Sequence, residues 1–166
     1  MPNNILKKYG SKTTLTAAVA SLASDTNLLA GIESSVIDNT TDGYDDILVS
    51  GKVTTGTSPT ASRQIEVWAV AWDGANWPDV FDGTTSGETI TSSDIKNSIC
   101  RAVAIMSTNA TSDRVYHFTG ASLRAAFGGE LPSKVVLFVV HNTGVNLNST
   151  AGNHEFSYVG VYPQVQ

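Results

Sequence analysis

Three histidines, one cysteine and two loose groups of aspartates are the residues through which this 166-residue chain could do chemistry. His117, His141 and His154 each stand alone, with no His-x-x-x-His, His-Glu-x-x-His or Cys-His spacing to build a zinc site. His141 and His154 bracket a long polar loop and could meet across the neck of a hairpin. They would hold a metal only with a third ligand, for which Glu155 is nearest, and the plainer reading is two hydrogen-bonded imidazoles fastening the loop. Asp38, Asp42, Asp45 and Asp46, with Asn39 and Gly43 among them, offer the oxygen ligands that suit calcium, but not at EF-hand spacing. Asp73, Asp79 and Asp82 form a looser second set, and solvated turns account for both. Cys100 lies in the apolar run 99–106 and reads as a small buried hydrophobe; a single cysteine excludes an intramolecular disulfide framework. No nucleophile elbow, P-loop or dinucleotide fingerprint occurs, so the chain is expected to be no enzyme and to use no cofactor. Trp68, Trp72 and Trp77, with Tyr44, Phe81 and Tyr116, are the material of a sugar-stacking platform. Trp68 and Trp72 share a strand face, however, which is also how a sandwich core or a subunit interface is filled.

Composition narrows the class further. Only 15% of residues are charged, against roughly 25% in a typical soluble protein, and Thr, Ser, Asn and Gly fill the difference. Those residues compete with helical backbone hydrogen bonds and favour strands and turns. The net charge of −5, with only Lys7 and Lys8 adjacent, argues against nucleic acid as a partner. The longest apolar runs are too short for a membrane span, and the N-terminal residues lack the apolar region of a secretory leader; synthesis in a cytoplasm is the expectation.

The elements that must position these residues are short. Residues 1–12 read as a flexible arm: Pro2, Asn3 and Asn4, then the apolar and cationic Ile5-Leu6-Lys7-Lys8-Tyr9, then a Gly10-Ser11 joint. A frayed terminus and a partner-docking tip both fit it. Residues 13–166 read as one domain. Strands are expected over 13–23, 28–37 (with Glu33 and Ser35 outward), 44–55, 63–72, 99–106 and 114–118. The 44–55 and 63–72 strands, joined by the turn 56–61, look like a hairpin. A helical turn capped by Ser93 and a helix over 120–127, stopped by Gly128-Gly129, complete the middle. The unbroken apolar run Val135–Val140 predicts a strand buried on both faces, and the alternating 155–162 predicts its hairpin partner across Asn142–His154. About eight short strands with turn-rich connections point to an all-β antiparallel sandwich or barrel.

Leu137-Phe138-Val139-Val140-His141-Asn142-Thr143-Gly144-Val145-Asn146-Leu147-Asn148, with Gly152-Asn153-His154 and Tyr158-Val159-Gly160-Val161-Tyr162, resembles a family of small tailed-bacteriophage proteins. So do 51–60, 77–83, 110–114 and 127–132. The family is that of capsid decoration, or cement, proteins. The resemblance implies a jelly-roll sandwich and a homotrimer on the outer surface of the virion head, over junctions of the major capsid protein. It gives no catalytic or metal residues to carry over; no cofactor and no nucleic-acid or membrane partner is expected. Ile5, Leu6 and Tyr9 of the arm and Asn142, Asn146 and Asn148 of the long loop are the candidate contacts with the shell or a neighbouring copy. A carbohydrate-binding sandwich of a phage tail or baseplate, stacking sugar on Trp72 and Trp77, is the alternative.

Overall fold

The computed structural model describes residues 5–165; Pro2, Asn3 and Asn4 of the expected arm lie outside them. Eleven strands form two antiparallel sheets. The first is built on β2 (Thr13–Leu15), β11 (Glu155–Val165), β5 (Asp46–Thr54) and β9 (Val115–Ser122), with β1 (Ile5–Tyr9) beside the distal part of β11. The second runs β3 (Ala30–Glu33), β10 (Lys134–His141), β6 (Gln64–Ala71), β8 (Cys100–Ser107). Outside β3 lies β7 (Gly87–Thr89), and β4 (Ile37–Asp38) also pairs with β10. Setting aside β1, β4 and β7, the remaining strands change sheet at every step of the chain except β6 to β8. That wiring is a jelly roll.

It also overturns two pairings expected from sequence. The strand of 44–55 (β5) pairs with β9 and β11, while that of 63–72 (β6) pairs with β8 and β10. Likewise β10 and β11 lie in different sheets, so Asn142–His154 is a crossing and not a hairpin loop. Turn residues specify where the chain reverses, not whether the next strand lies beside the last or across the core. The crossing loop is not solvated throughout: Leu147 is buried in the core and Thr143 is fully buried.

Strand β10 has no wet face. Val135, Leu137 and Val139 point between the sheets with Ile47, Val49, Val53, Ile65, Val67 and Phe156. Val136, Phe138 and Val140 point the other way, against Val70, Phe81, Ile90 and Cys100. The excursion 72–99, with helix α1 (Ser93–Ile99), covers that outer face. Helix α1 is capped by Ser92, whose hydroxyl accepts the Ile95 N–H at 3.3 Å, one residue earlier than expected. The 120–127 helix shrinks to α2 (Leu123–Ala126), because residues up to Ser122 belong to β9. The strands at 13–23 and 28–37 are likewise only three, four and two residues long (β2, β3, β4).

Charge is buried on the covered side. Glu66 and Lys96 are 6% and 5% exposed. The Lys96 ammonium donates to Glu66 Oε2 and to the Leu28 carbonyl, each at 2.8 Å, and sits 4.7 Å from the centroid of the Trp68 ring. Trp68 Nε1 donates to the same carboxylate oxygen at 2.8 Å. This knot ties α1 to β6, and among the described residues no buried side-chain nitrogen or oxygen lacks a partner, which is the condition for burying an ion pair at acceptable cost. Burial also pushes the Cys100 thiol up to about 12, so it is inert packing, as read from sequence.

Removing one partner of the knot strands the other. Lys96→Met is expected to cost about 3 kcal/mol in urea unfolding, and the double variant Lys96→Met/Glu66→Leu to recover most of that loss. Equal destabilisation by the single and double variants would show the knot to be energetically idle.

Candidate interaction surface

The expected arm folds as strand over Ile5–Tyr9 and runs antiparallel to 161–165 of β11. Its register explains why it is ordered: Gly10 N–H bonds to the Gly160 carbonyl at 2.8 Å, Lys12 pairs with Glu155, and β2 continues along the same edge to Phe156. Beyond Val161, which opposes Asp46 at the start of β5, β11 pairs with β1 alone. Residues 5–9 and 161–165 therefore form a two-stranded ribbon past the end of the sandwich. All five residues of β1 are exposed: Ile5 at 70%, Leu6 at 47% and Tyr9 at 61%. Most large apolar residues of the described chain are inside; three of the five large hydrophobics that stand out are here. Lys7 and Lys8 lie on the same strand, which has no acidic residue, in a chain of net charge −5.

The ribbon is seated by one close packing. The Tyr44 ring lies flat against Gly160, where any Cβ would fall within 2.4 Å of its carbons, and its centroid is 6.1 Å from that of Tyr162. Asn39 holds Tyr44 in place, accepting its N–H at 2.7 Å and donating to its carbonyl at 3.0 Å.

The three asparagines named from sequence lie elsewhere. Asn148 bonds the carbonyl of Thr54, at the far end of β5 from Asp46, so ribbon and loop are separated by about 26 Å at roughly 3.3 Å per residue. Asn142 extends the β6–β10 ladder, its Oδ1 accepting the Gln64 N–H at 2.8 Å. Asn148 is a brace: its amide donates to Asp113 Oδ1 at 2.7 Å, and its Oδ1 accepts from Thr150 N and Asn153 Nδ2. Asn146 alone of the three is exposed, above a shallow depression of about 350 Å³ floored by Gly56, Ser21 and Asp113.

His141 and His154 do not meet. His141 is fully buried between Thr143 Oγ1 and the Leu22 carbonyl, both at 3.0 Å. His154 accepts the Thr54 N–H through Nδ1 at 3.3 Å and reaches the Asn148 carbonyl through Nε2 at 2.9 Å. Each fastens the crossing loop at its own end, and burial lowers the pKa of both below the ordinary imidazole value. Of the first aspartate cluster, Asp38 binds Thr40 and lies 3.4 Å from Lys134, while Asp46 binds Ser122 Oγ and the Arg124 N–H. Trp77 and Trp68, both partly buried, pack on the outer-face core, and the Lys134 ammonium sits 4.9 Å from the Trp72 ring centroid.

One constellation was not anticipated. Glu33, expected to face outward, is fully buried, and its carboxylate lies within 4.8 Å of those of Asp82 and Glu88. Burial pushes Glu33 up to about 7; the Gly83 and Asp82 N–H groups, which donate to it at 2.8 and 3.3 Å, oppose that rise, and the Asp82 and Glu88 charges add to it. Its hydrogen bonds anchor the 81–84 turn to β3. Strict alternation along 30–33 gave no warning, since it presumes a solvated outer face.

A carboxyl whose folded pKa is raised contributes stability that is complete below about 4.5 and lost as pH rises through about 7. The buried histidines act oppositely, losing stability as pH falls below about 6.5. Glu33→Gln, which cannot ionise, is therefore expected to gain on the parent protein by on the order of 2 kcal/mol between pH 5 and pH 8. Parallel stability curves for the two proteins over that range would contradict the burial account.

No protein-family model matches the chain, and no curated protein matches it. Among solved structures, a chain of the infectious bursal disease virus Gx strain overlaps 97% of this chain at 11% identity and a TM-score of 0.31. The present chain spans 40% of that chain, and so loose an overlap carries no functional inference.

Proposed function

We propose that the protein is a structural component of a bacteriophage virion, a decoration protein that binds the outer face of the assembled head as a homotrimer and reinforces it. The observation that carries this reading is the terminal ribbon: an exposed apolar and cationic strand, β1, paired with β11 outside the jelly roll. The resemblance of the 137–148 and 152–162 segments to decoration proteins points the same way, and jelly rolls recur in capsid proteins. Ile5, Leu6 and Tyr9 supply the contact area. Binding assembled shell in preference to free subunits adds the binding free energy to shell stability by mass action, and repeated presentation turns modest contacts into avidity. Lectins share the architecture, and a carbohydrate-binding module using Trp72 and Trp77 is the alternative reading; Trp77 packs in part on the outer-face core and the Lys134 ammonium lies over the Trp72 ring.

Shell co-sedimentation tests the reading. Ile5→Ser/Leu6→Ser/Tyr9→Ser is expected to weaken binding to emptied phage heads at least about tenfold, while shifting the melting temperature by no more than a few degrees, because the three side chains are exposed. Undiminished decoration by the triple variant would remove the ribbon from the contact.

A further inference from the structure

The free backbone edges of the sandwich are not equivalent. On one side β8 and β9, edge strands of opposite sheets, lie against each other. On the other side β1 bonds only to β11, and β7 bonds only to β3, among the described residues. Each of these two strands therefore offers one row of unpaired N–H and C=O groups, the condition for adding a strand from another chain.

Their central residues carry opposite charge. The middle of β1 is Lys7, followed by Lys8; the middle of β7 is Glu88, beside Asp82 and the buried Glu33. Pairing β1 with a second β1 antiparallel about its centre would oppose Lys7 to Lys7, and pairing two copies of β7 would oppose Glu88 to Glu88. Both place like charges directly across a ladder, which is destabilising. Pairing β1 of one copy with β7 of the next opposes Lys7 to Glu88 in either strand direction. Edge lysine and edge glutamate thus forbid the two symmetric contacts and favour the asymmetric one.

We propose that the terminal ribbon of one copy adds through its β1 edge to the β7 edge of a second copy, making a head-to-tail contact that closes into a ring. The inference deepens the decoration reading and rests on it for its setting: Ile5 and Tyr9, on one face of β1, meet the shell while its backbone edge joins neighbours. A three-residue edge such as β7 binds weakly alone. In a closed ring every copy gives one such contact and receives one, and the closing contact forms at high effective concentration. The lysines also bring cations to a patch where three carboxylates crowd together.

The protein should give one discrete mass above the monomer by light scattering across a concentration series, weakening as salt is raised. Lys7→Glu/Lys8→Glu, at exposed positions, should raise the dissociation constant about tenfold or more, and Glu88→Lys should do the same. Combining all three should recover at least half of the loss. A monomer at every concentration, an assembly indifferent to charge reversal, or a combined variant no better than either parent would overturn the proposal. Circular dichroism checks that each variant is folded. If the assembly is indifferent to charge reversal while the protein still co-sediments with heads, the decoration reading stands and only the ring contact falls. If the ring persists but heads are not bound, the ring contact stands without that reading.

Discussion

Everything in this molecule depends on one strand being dry on both sides. Strand β10 sends alternate side chains into two separate apolar layers, so the sheet that contains it needs a cover on its outer face. The excursion 72–99 and α1 provide it, and the buried Glu66–Lys96–Trp68 knot fastens that cover down. A sheet with one solvated face would not need an ion pair inside; a sheet with two buried faces must find partners for whatever polar groups its cover brings with it. Glu33 is the second consequence. It faces the same covered side and spends its carboxylate on the backbone of the 81–84 turn, at the expense of its normal acidity.

The first sheet is different. Its outer face carries Ser50, Lys52, Glu155 and Ser157 around a shallow depression of about 190 Å³, and among the described residues no layer covers it. Extending β11 past the sandwich therefore leaves the ribbon with nothing behind it. A bare two-stranded ribbon is marginal in water. Here Tyr44, wedged on Gly160, anchors its base, and the remainder is left with apolar side chains in solvent. Placing exposed Ile, Leu and Tyr on the least supported part of the fold makes physical sense when another protein surface completes it.

Much of this was legible in the residues and some was not, for reasons that differ. Val135–Val140 announced itself because an unbroken β-branched and apolar run has no other soluble use at that length. The jelly-roll form came from the resemblance alone; the all-β class, sandwich or barrel, followed from strand length and turn density. Pairing did not: the turn at 56–61 reads the same whether β6 lies beside β5 or across from it, and only the long-range packing of Gly51, Phe118 and Phe156 in the other sheet decides. Glu33 was misplaced because alternation assigns inside and outside correctly only when an outside exists. The histidines were read correctly as fasteners, but each on its own loop end, since the hairpin neck that would have joined them is a sheet crossing. Ile5–Tyr9 looked like an arm because no local signal reveals a partner strand that lies some 150 residues away.

Three-dimensional reconstruction of the virion carrying this protein tests the central claim most directly. The account predicts jelly-roll density standing on the outer surface of the head, with the Ile5–Tyr9 ribbon in the contact region and the Asn146 loop end, about 26 Å away along β5, pointing elsewhere. Density placed in the tail, or on the head with the ribbon free in solvent, would contradict it.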